Sequence, residues 1–219
     1  MRKALLVDDH AFLRDALALV MAQEFPFLQL LQAGTLAEAR SVLREHADVG
    51  LVLLDLSLPD GHGLDVLPLL RATTGATLVV MSADDSSATI LAAIQAGASG
   101  YIPKTLESAR MLDALRVVMS GGVYLPPKLL EGSADRLPGK AAATGGRVPG
   151  DLGLSPRQGE VLRMLIEGKP NKLISRELEM SESTVKTHLA AIFRKLEATS
   201  RTQAVVAAAR LGLRLAPAP

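Results

Sequence analysis

Gly50-Leu51-Val52-Leu53-Leu54-Asp55 is an apolar run that ends on a carboxylate. An unbroken run of this length reads as a strand buried on both faces of a parallel sheet. The segment that follows, Leu58-Pro59-Asp60-Gly61-His62-Gly63, is dense in turn residues. The strand therefore delivers Asp55 to the C-terminal edge of an open α/β sheet, where such folds place their chemistry. Working outward, Ala4-Leu5-Leu6-Val7 closes on a second acidic pair, Asp8-Asp9. Two strand ends thus bring three carboxylates into one pocket. Such a cluster repels itself unless a cation sits in it, and an all-oxygen site suits Mg²⁺.

The same alternation extends on both sides. Strand-like runs at 3–7, 28–33, 49–54, 77–82 and 100–102 are each followed by a helical pattern, at 11–23, 36–46, 64–72, 86–96 and 106–120. This is (βα)₅, an α/β doubly wound sheet with right-handed crossovers. After Leu130 the composition changes. Residues 131–150 hold five Gly and two Pro and no apolar periodicity, as expected of a flexible linker. From Leu154 onward the pattern is helical, with candidates at 156–167, 171–178, 182–196 and 201–211. The expected domains are 1–125, a linker at 126–150, and a small all-α domain at 151–215. The tail at 216–219 is expected to fray.

Composition narrows the possible functions. The chain has no Cys, which removes disulfides, thiolate metal sites and Cys nucleophiles together. No apolar run approaches the ~20 residues that span a bilayer, so no membrane partner is expected. The N-terminus runs straight into a strand without a signal-peptide pattern, and the expected location is the cytoplasm. Net charge of +1 hides an asymmetry. Residues 1–130 hold ten Lys/Arg against fourteen Asp/Glu, and residues 151–219 hold eleven against seven. The acidic part suits a cation, and the basic part suits a polyanion.

Two further strand ends supply polar groups. Val79-Val80-Met81 ends on Ser82, followed by the small Ala83, and Tyr101-Ile102-Pro103 leads to Lys104. In a parallel sheet these lie on the same edge as Asp8, Asp9 and Asp55. A carboxylate nucleophile, a cation held by carboxylates, a hydroxyl and an ammonium are the parts needed to transfer a phosphoryl group to Asp55. The cation and Lys104 neutralise the equatorial oxygens, and Ser82 donates a hydrogen bond to one of them. A lone strand-end Asp is often only a helix cap. His10 and His62 lie near the pocket and receive no role.

Val7-Asp8-Asp9-His10, Leu53-Leu54-Asp55-Leu56, Leu58-Pro59-Asp60-Gly61, Met81-Ser82-Ala83 and Tyr101-Ile102-Pro103-Lys104 occur in this order. The set resembles the receiver domain of bacterial two-component response regulators, a flavodoxin-like fold, over roughly residues 1–125. The resemblance implies that Asp55 accepts phosphate from a sensor histidine kinase. It implies that Asp8, Asp9, Asp55 and the backbone carbonyl of Ser57 hold Mg²⁺. Ser82 and Tyr101 would be a switch pair: the hydroxyl moves toward the phosphate and the ring turns inward.

In the basic part, Ser155-Pro156 is a strong helix start and Gly168 a stop. Val185, Leu189, Ile192, Phe193 and Leu196 form an apolar stripe, with Lys186, His188, Arg194 and Lys195 largely off it. A short helix, a tight turn and a second helix with a basic face make a helix-turn-helix, whose second helix enters the major groove. Leu154-Ser155-Pro156-Arg157, Thr184-Val185-Lys186-Thr187-His188 and Arg201-Thr202-Gln203-Ala204 are similar to the LuxR-type helix-turn-helix of NarL/FixJ regulators. By that resemblance Lys186, Thr187 and Ala190 face base edges, and Asn171, Lys172, Thr184, His188 and Arg201 lie near the DNA backbone. Gly159 stands mid-helix, a cost of up to ~1 kcal/mol relative to Ala. Ala204, Val205, Ala208 and Leu211 share one side of the last helix, as a dimer seam or as core.

The reading that results is a non-enzymatic transcription factor. Phosphorylation of Asp55 would switch it toward a homodimer on a double-stranded operator. A phosphatase-like enzyme with an Asp nucleophile is the first alternative. Such enzymes typically carry a second Asp two residues on, where this chain has Ser57. The other alternative is a DNA-binding regulator that uses its first domain only for docking.

Overall fold

A computed structural model of the 219-residue chain describes residues 2–131 and 148–213. It divides into two compact units, Met1–Glu107 and Ser108–Pro219. The helix Ser108–Met119 falls in the second unit, and Gly122 just beyond it lies close against Gly168.

In the first unit the elements are β1 (Arg2–Val7), α1 (Ala11–Glu24), β2 (Leu28–Ala33), α2 (Leu36–Glu45), β3 (Val49–Asp55), β4 (Ser57–Leu58), β5 (Gly61–His62), α3 (Gly63–Thr73), β6 (Thr77–Ser82), α4 (Ser87–Gln95) and β7 (Gly100–Pro103). The five main strands are parallel in the order β2-β1-β3-β6-β7. The step from β2 to β3 passes over β1, so strand order reverses between β1 and β3. Their C-terminal ends form the switch-point crevice where open α/β sheets bind ligands. Ala4–Val7 of β1 and Leu78–Met81 of β6 are fully buried, as is nearly all of β3. Each of these Val and Leu side chains contributes roughly 1.5–3 kcal/mol, so the strand ends are anchored by the buried core.

One feature is absent from the sequence reading. Ser57–Leu58 and Gly61–His62 pair as a small antiparallel hairpin directly after β3. The loop folds tightly back: Gly63 N–H donates to Leu56 O, and a Cβ on Gly63 would lie 2.6 Å from Asp55 O. Only glycine permits that approach. The Asp60 carboxylate at the hairpin turn accepts from the N–H groups of Leu36 and Ala37, both at 2.9 Å. It caps α2 alongside Thr35, whose hydroxyl accepts from Glu38 N–H, and so ties the loop beside Asp55 to a second element.

The second unit contains α5 (Ser108–Met119), α6 (Pro127–Glu131), a 3₁₀ turn (Pro149–Leu152), α7 (Pro156–Ile166), α8 (Asn171–Glu177), α9 (Glu182–Lys195) and α10 (Arg201–Arg210). The expected linker at 126–150 is thus ordered at both ends. Pro127 pre-sets the first turn of α6, and Leu129 anchors it by burial. The middle, 132–147, and the tail at 216–219 lie outside the described residues. Ser155 and Gln158 cap α7 reciprocally, and Ser181 and Ser200 cap α9 and α10. Gly159 is no defect: a Cβ there would meet the Pro149 ring at 3.3 Å, so its absence makes room for the 3₁₀ turn. Ala204, Val205 and Ala208 are buried within this unit, where α6, α7 and α9 pack on α10. In this conformation the last helix's small-residue side is core.

Candidate functional site

The switch-point crevice gathers the residues that the sequence nominated. Asp55 ends β3 and is 2 % exposed; Asp8 follows β1 and is fully buried. Lys104, just past β7, is fixed by its own backbone, because its N–H donates to Ser82 O at 2.8 Å. Its Nζ lies 2.7 Å from both Asp55 Oδ2 and Asp8 Oδ2. Burial alone would push the Lys104 ammonium down. The hydrogen bonds and charges of Asp55 and Asp8 more than offset it, so its pKa is held above the usual lysine value.

Asp8 Oδ1 accepts from His10 N–H at 2.9 Å. Arg14 Nη1 donates to the Asp8 carbonyl at 2.5 Å, pinning the strand end from α1. Asp8 Oδ2 is buried and pairs with the Lys104 ammonium at 2.7 Å. Asp9 is more open and contributes to a cleft of 380 Å³ that Leu56, Ser57, Leu58 and His62 also line. Ligand atoms of Asp8, Asp9, His10 and Asp55 all fall within 4.8 Å of one another. Three carboxylates against one ammonium leave two negative charges, which a divalent cation balances. The carboxylate oxygens of this donor set fit Mg²⁺. Ser57, expected to offer its carbonyl, is held at the cleft wall by the hairpin.

Ser82 is buried at the end of β6, and its hydroxyl accepts from Asp84 N–H at 3.2 Å. Ala83 is exposed and leaves the pocket edge open. The Tyr101 ring is fully buried and its hydroxyl donates to Asp84 O. Burial pushes the Tyr101 phenol up, a contact with Ser82 opposes this, and the charges of Asp84, Asp85 and Asp55 add to the rise.

Sequence reasoning gave no role to His10, Arg14 or Asp60. His10 was visible beside Asp8-Asp9. Asp60 and Arg14 left no local signal, because their partners are the ends of other elements.

In the helical unit, α9 exposes Thr184, Lys186, Thr187, Ala190 and Arg194, while His188 is half-buried. Lys172 on α8 is exposed as well. Lys195, Asn171 and Arg201 also make hydrogen bonds within the unit. Lys195 Nζ donates to Gly153 O and to Gln158 Oε1, tying α9 to the start of α7. Arg201 donates to Asn171 Oδ1 at 2.5 Å and to Lys169 O at 2.7 Å, occupying Asn171 as well. Burial pushes the Arg201 guanidinium down to about 10, so it stays a cation at neutral pH.

A switch-point carboxylate pocket joined to a helix-turn-helix defines a class: a receiver domain coupled to a DNA-binding domain. The family described as "Response regulator receiver domain" matches residues 4–116, and "Bacterial regulatory proteins, luxR family" matches residues 152–208. The chain is 35% identical to the glycerol metabolism activator of Pseudomonas putida over 95% of each chain. It is 32% identical to the nitrate/nitrite response regulator protein NarL of Escherichia coli (strain K12) over 92% of each. A solved structure of two RcsB dimers bound to two parallel DNAs shares the fold, with a TM-score of 0.55 and 19% identity, covering 95% of this chain and 98% of that one. The chain belongs to the two-component response regulators with a luxR-type helix-turn-helix, a family of transcriptional regulators. No helix among the described residues is long and apolar enough to cross a membrane.

Proposed function

We propose that the receiver (1–125) is switched by phosphorylation of Asp55 by a sensor histidine kinase, and that this controls operator binding by the helix-turn-helix domain (151–215) across the linker (126–150). The observation that carries the reading is Lys104 Nζ, held 2.7 Å from two buried carboxylates at the switch point. An Asp55 oxygen attacks the donor's phosphorus, a new P–O bond forms, and the donor leaves with the electron pair of the broken bond. Lys104 moves from its ion pair onto a phosphoryl oxygen. Ser82 donates its hydroxyl proton in a hydrogen bond to another. Asp8, Asp9, Asp55 and the Ser57 carbonyl would hold Mg²⁺, which supplies neutralising charge when bound. Movement of Ser82 and the packing of Tyr101 carry the change outward.

On α9, Lys186, Thr187 and Ala190 read base edges; Thr184 and His188, with Asn171 and Lys172 of α8 and Arg201 of α10, lie at the DNA backbone. The Arg201–Asn171 hydrogen bond holds α8 against α10 beside that backbone. One recognition helix reads only a short half-site, so a homodimer on a double-stranded operator gives the needed affinity and specificity. The protein works in the cytoplasm, where kinase domains and DNA meet. The relatives' roles as a metabolism activator and a nitrate/nitrite response regulator support the transcriptional reading. The test is labelling by a small phosphodonor with Mg²⁺. Wild-type protein is expected to label and Asp55→Asn to remain unlabelled; equal labelling of the two overturns the assignment.

A further inference from the structure

We propose that Arg14 is a positioning residue for phosphoryl transfer: its guanidinium fixes the peptide that joins Asp8 to Asp9, and so sets the angle at which the two carboxylates meet a divalent ion. This rests on the acidic pocket being the Mg²⁺ site of the reading above. Arg14 Nη1 donates to the Asp8 carbonyl at 2.5 Å. That oxygen belongs to the Asp8–Asp9 peptide, whose planarity makes it a rigid plate between the two side chains. Asp8 is held independently, since its N–H donates to Ala33 O at 3.0 Å and its Oδ1 accepts from His10 N–H at 2.9 Å. Asp9 is exposed and lies beyond the last paired residue of β1. Its direction therefore follows from the peptide before it, which is the one that Arg14 holds.

The helix explains how an arginine six residues on reaches back. Arg14 lies in the first turn of α1, where its N–H donates to His10 O at 3.1 Å. Side chains on a helix tilt toward its N-terminus, which aims the guanidinium at the end of β1. A cation is misplaced at this positive end of the helix dipole, and the first turn of α1 holds no acidic residue to offset it. The Asp8 carbonyl supplies the acceptor, in a charge-assisted hydrogen bond stronger than a neutral one. The chain from Asp8 to Arg14 is thereby closed into a loop that carries both carboxylates. Arg14 acts on a bound cation in two opposed ways: its charge repels the ion, and its hydrogen bond aims the ligands. The charge is half-exposed and screened by solvent. Groups that orient metal ligands are worth about tenfold to a hundredfold in affinity, so the aiming effect is the larger.

The experiment is Mg²⁺ titration of the full chain followed through its amide resonances, comparing wild type, Arg14→Ala, Arg14→Lys and Arg44→Ala, with urea unfolding of the metal-free proteins alongside. Arg14→Ala is expected to lose about tenfold or more in Mg²⁺ affinity. Arg14→Lys keeps a charged donor and should recover part of that loss. Arg44→Ala removes a charge from an exposed position on α2 and should match wild type. Labelling by a small phosphodonor should show the same split. In Arg14→Ala the Mg²⁺ concentration for half-maximal rate rises about tenfold, while the rate at saturating Mg²⁺ stays within about twofold of wild type. If Arg14→Ala is less stable in urea yet binds Mg²⁺ as wild type does, the contact is only structural and the proposal is overturned. Tighter Mg²⁺ binding by Arg14→Ala overturns it too, since charge alone would then account for the effect. Failure of wild type itself to bind Mg²⁺ overturns the phosphoacceptor pocket, and this proposal with it.

Discussion

At the residue scale the pocket is an electrostatic balance centred on Lys104. Two buried carboxylates face its ammonium, and either would be strongly disfavoured as a buried charge without it. Lys104→Met is expected to destabilise the metal-free protein by about 3 kcal/mol near neutral pH, as for breaking a buried ion pair. The pH dependence follows from the raised lysine pKa. The pairing contributes fully below the unfolded value, about 10.4, and its contribution is lost as pH rises through the higher folded value. The wild-type advantage over Lys104→Met in urea unfolding should therefore shrink as the solution becomes strongly alkaline. A constant difference across that range would mean that the ammonium is not the source. Residues of this kind were legible because each closes an apolar run, and a strand end in a parallel sheet has one destination. Asp60, Arg14 and Arg201 were not, since their partners lie 23 or 24, 6 and 30 or 32 positions away and no period encodes those distances.

At the element scale, α9 divides its basic residues between two duties. Lys195 braces α7, whereas Lys186 is exposed to solvent. Val185, Leu189, Ile192 and Leu196 are buried on the opposite side, as the sequence stripe required. Ser181 satisfies the Thr184 N–H at the helix start, leaving the positive end of the dipole and exposed hydroxyls near incoming phosphates. Lys186→Ala is expected to weaken operator binding by roughly 1–3 kcal/mol if it reads a base edge. A phosphate contact would instead lower affinity evenly across sequences and flatten the salt dependence. Fluorescence anisotropy over a salt series distinguishes these, and wild-type affinity with an intact fold rules out both. What periodicity could not reveal was the β4–β5 hairpin, whose two-residue strands are shorter than any pattern. Nor did it reveal why Gly159 is tolerated, which depends on Pro149 arriving from outside the helix.

At the scale of the molecule, the question is what frees a dimer surface. The small residues of α10 suit close helix approach, yet Ala204, Val205 and Ala208 are covered within their own unit. Part of that cover is α6, with Leu129 4 % exposed, and residues 123–125 line a small cavity that Val205 shares. A second copy reaches α10 only if this segment leaves. Its departure costs the burial of Leu129, and phosphorylation shifts the balance only by its differential stabilisation of the released state. Leu129→Ala removes part of that cover, and large-to-small changes of buried leucine cost about 2–5 kcal/mol. Even a fraction of this, about 1.4 kcal/mol, changes the released population tenfold. We therefore expect unphosphorylated Leu129→Ala protein to sediment with a larger dimer fraction than wild type and to bind operator more tightly. Phosphodonor should then add less to the variant than it adds to wild type. If the variant stays monomeric without phosphate and gains as much as wild type on phosphorylation, the dimer forms on another surface and α6 is only packing.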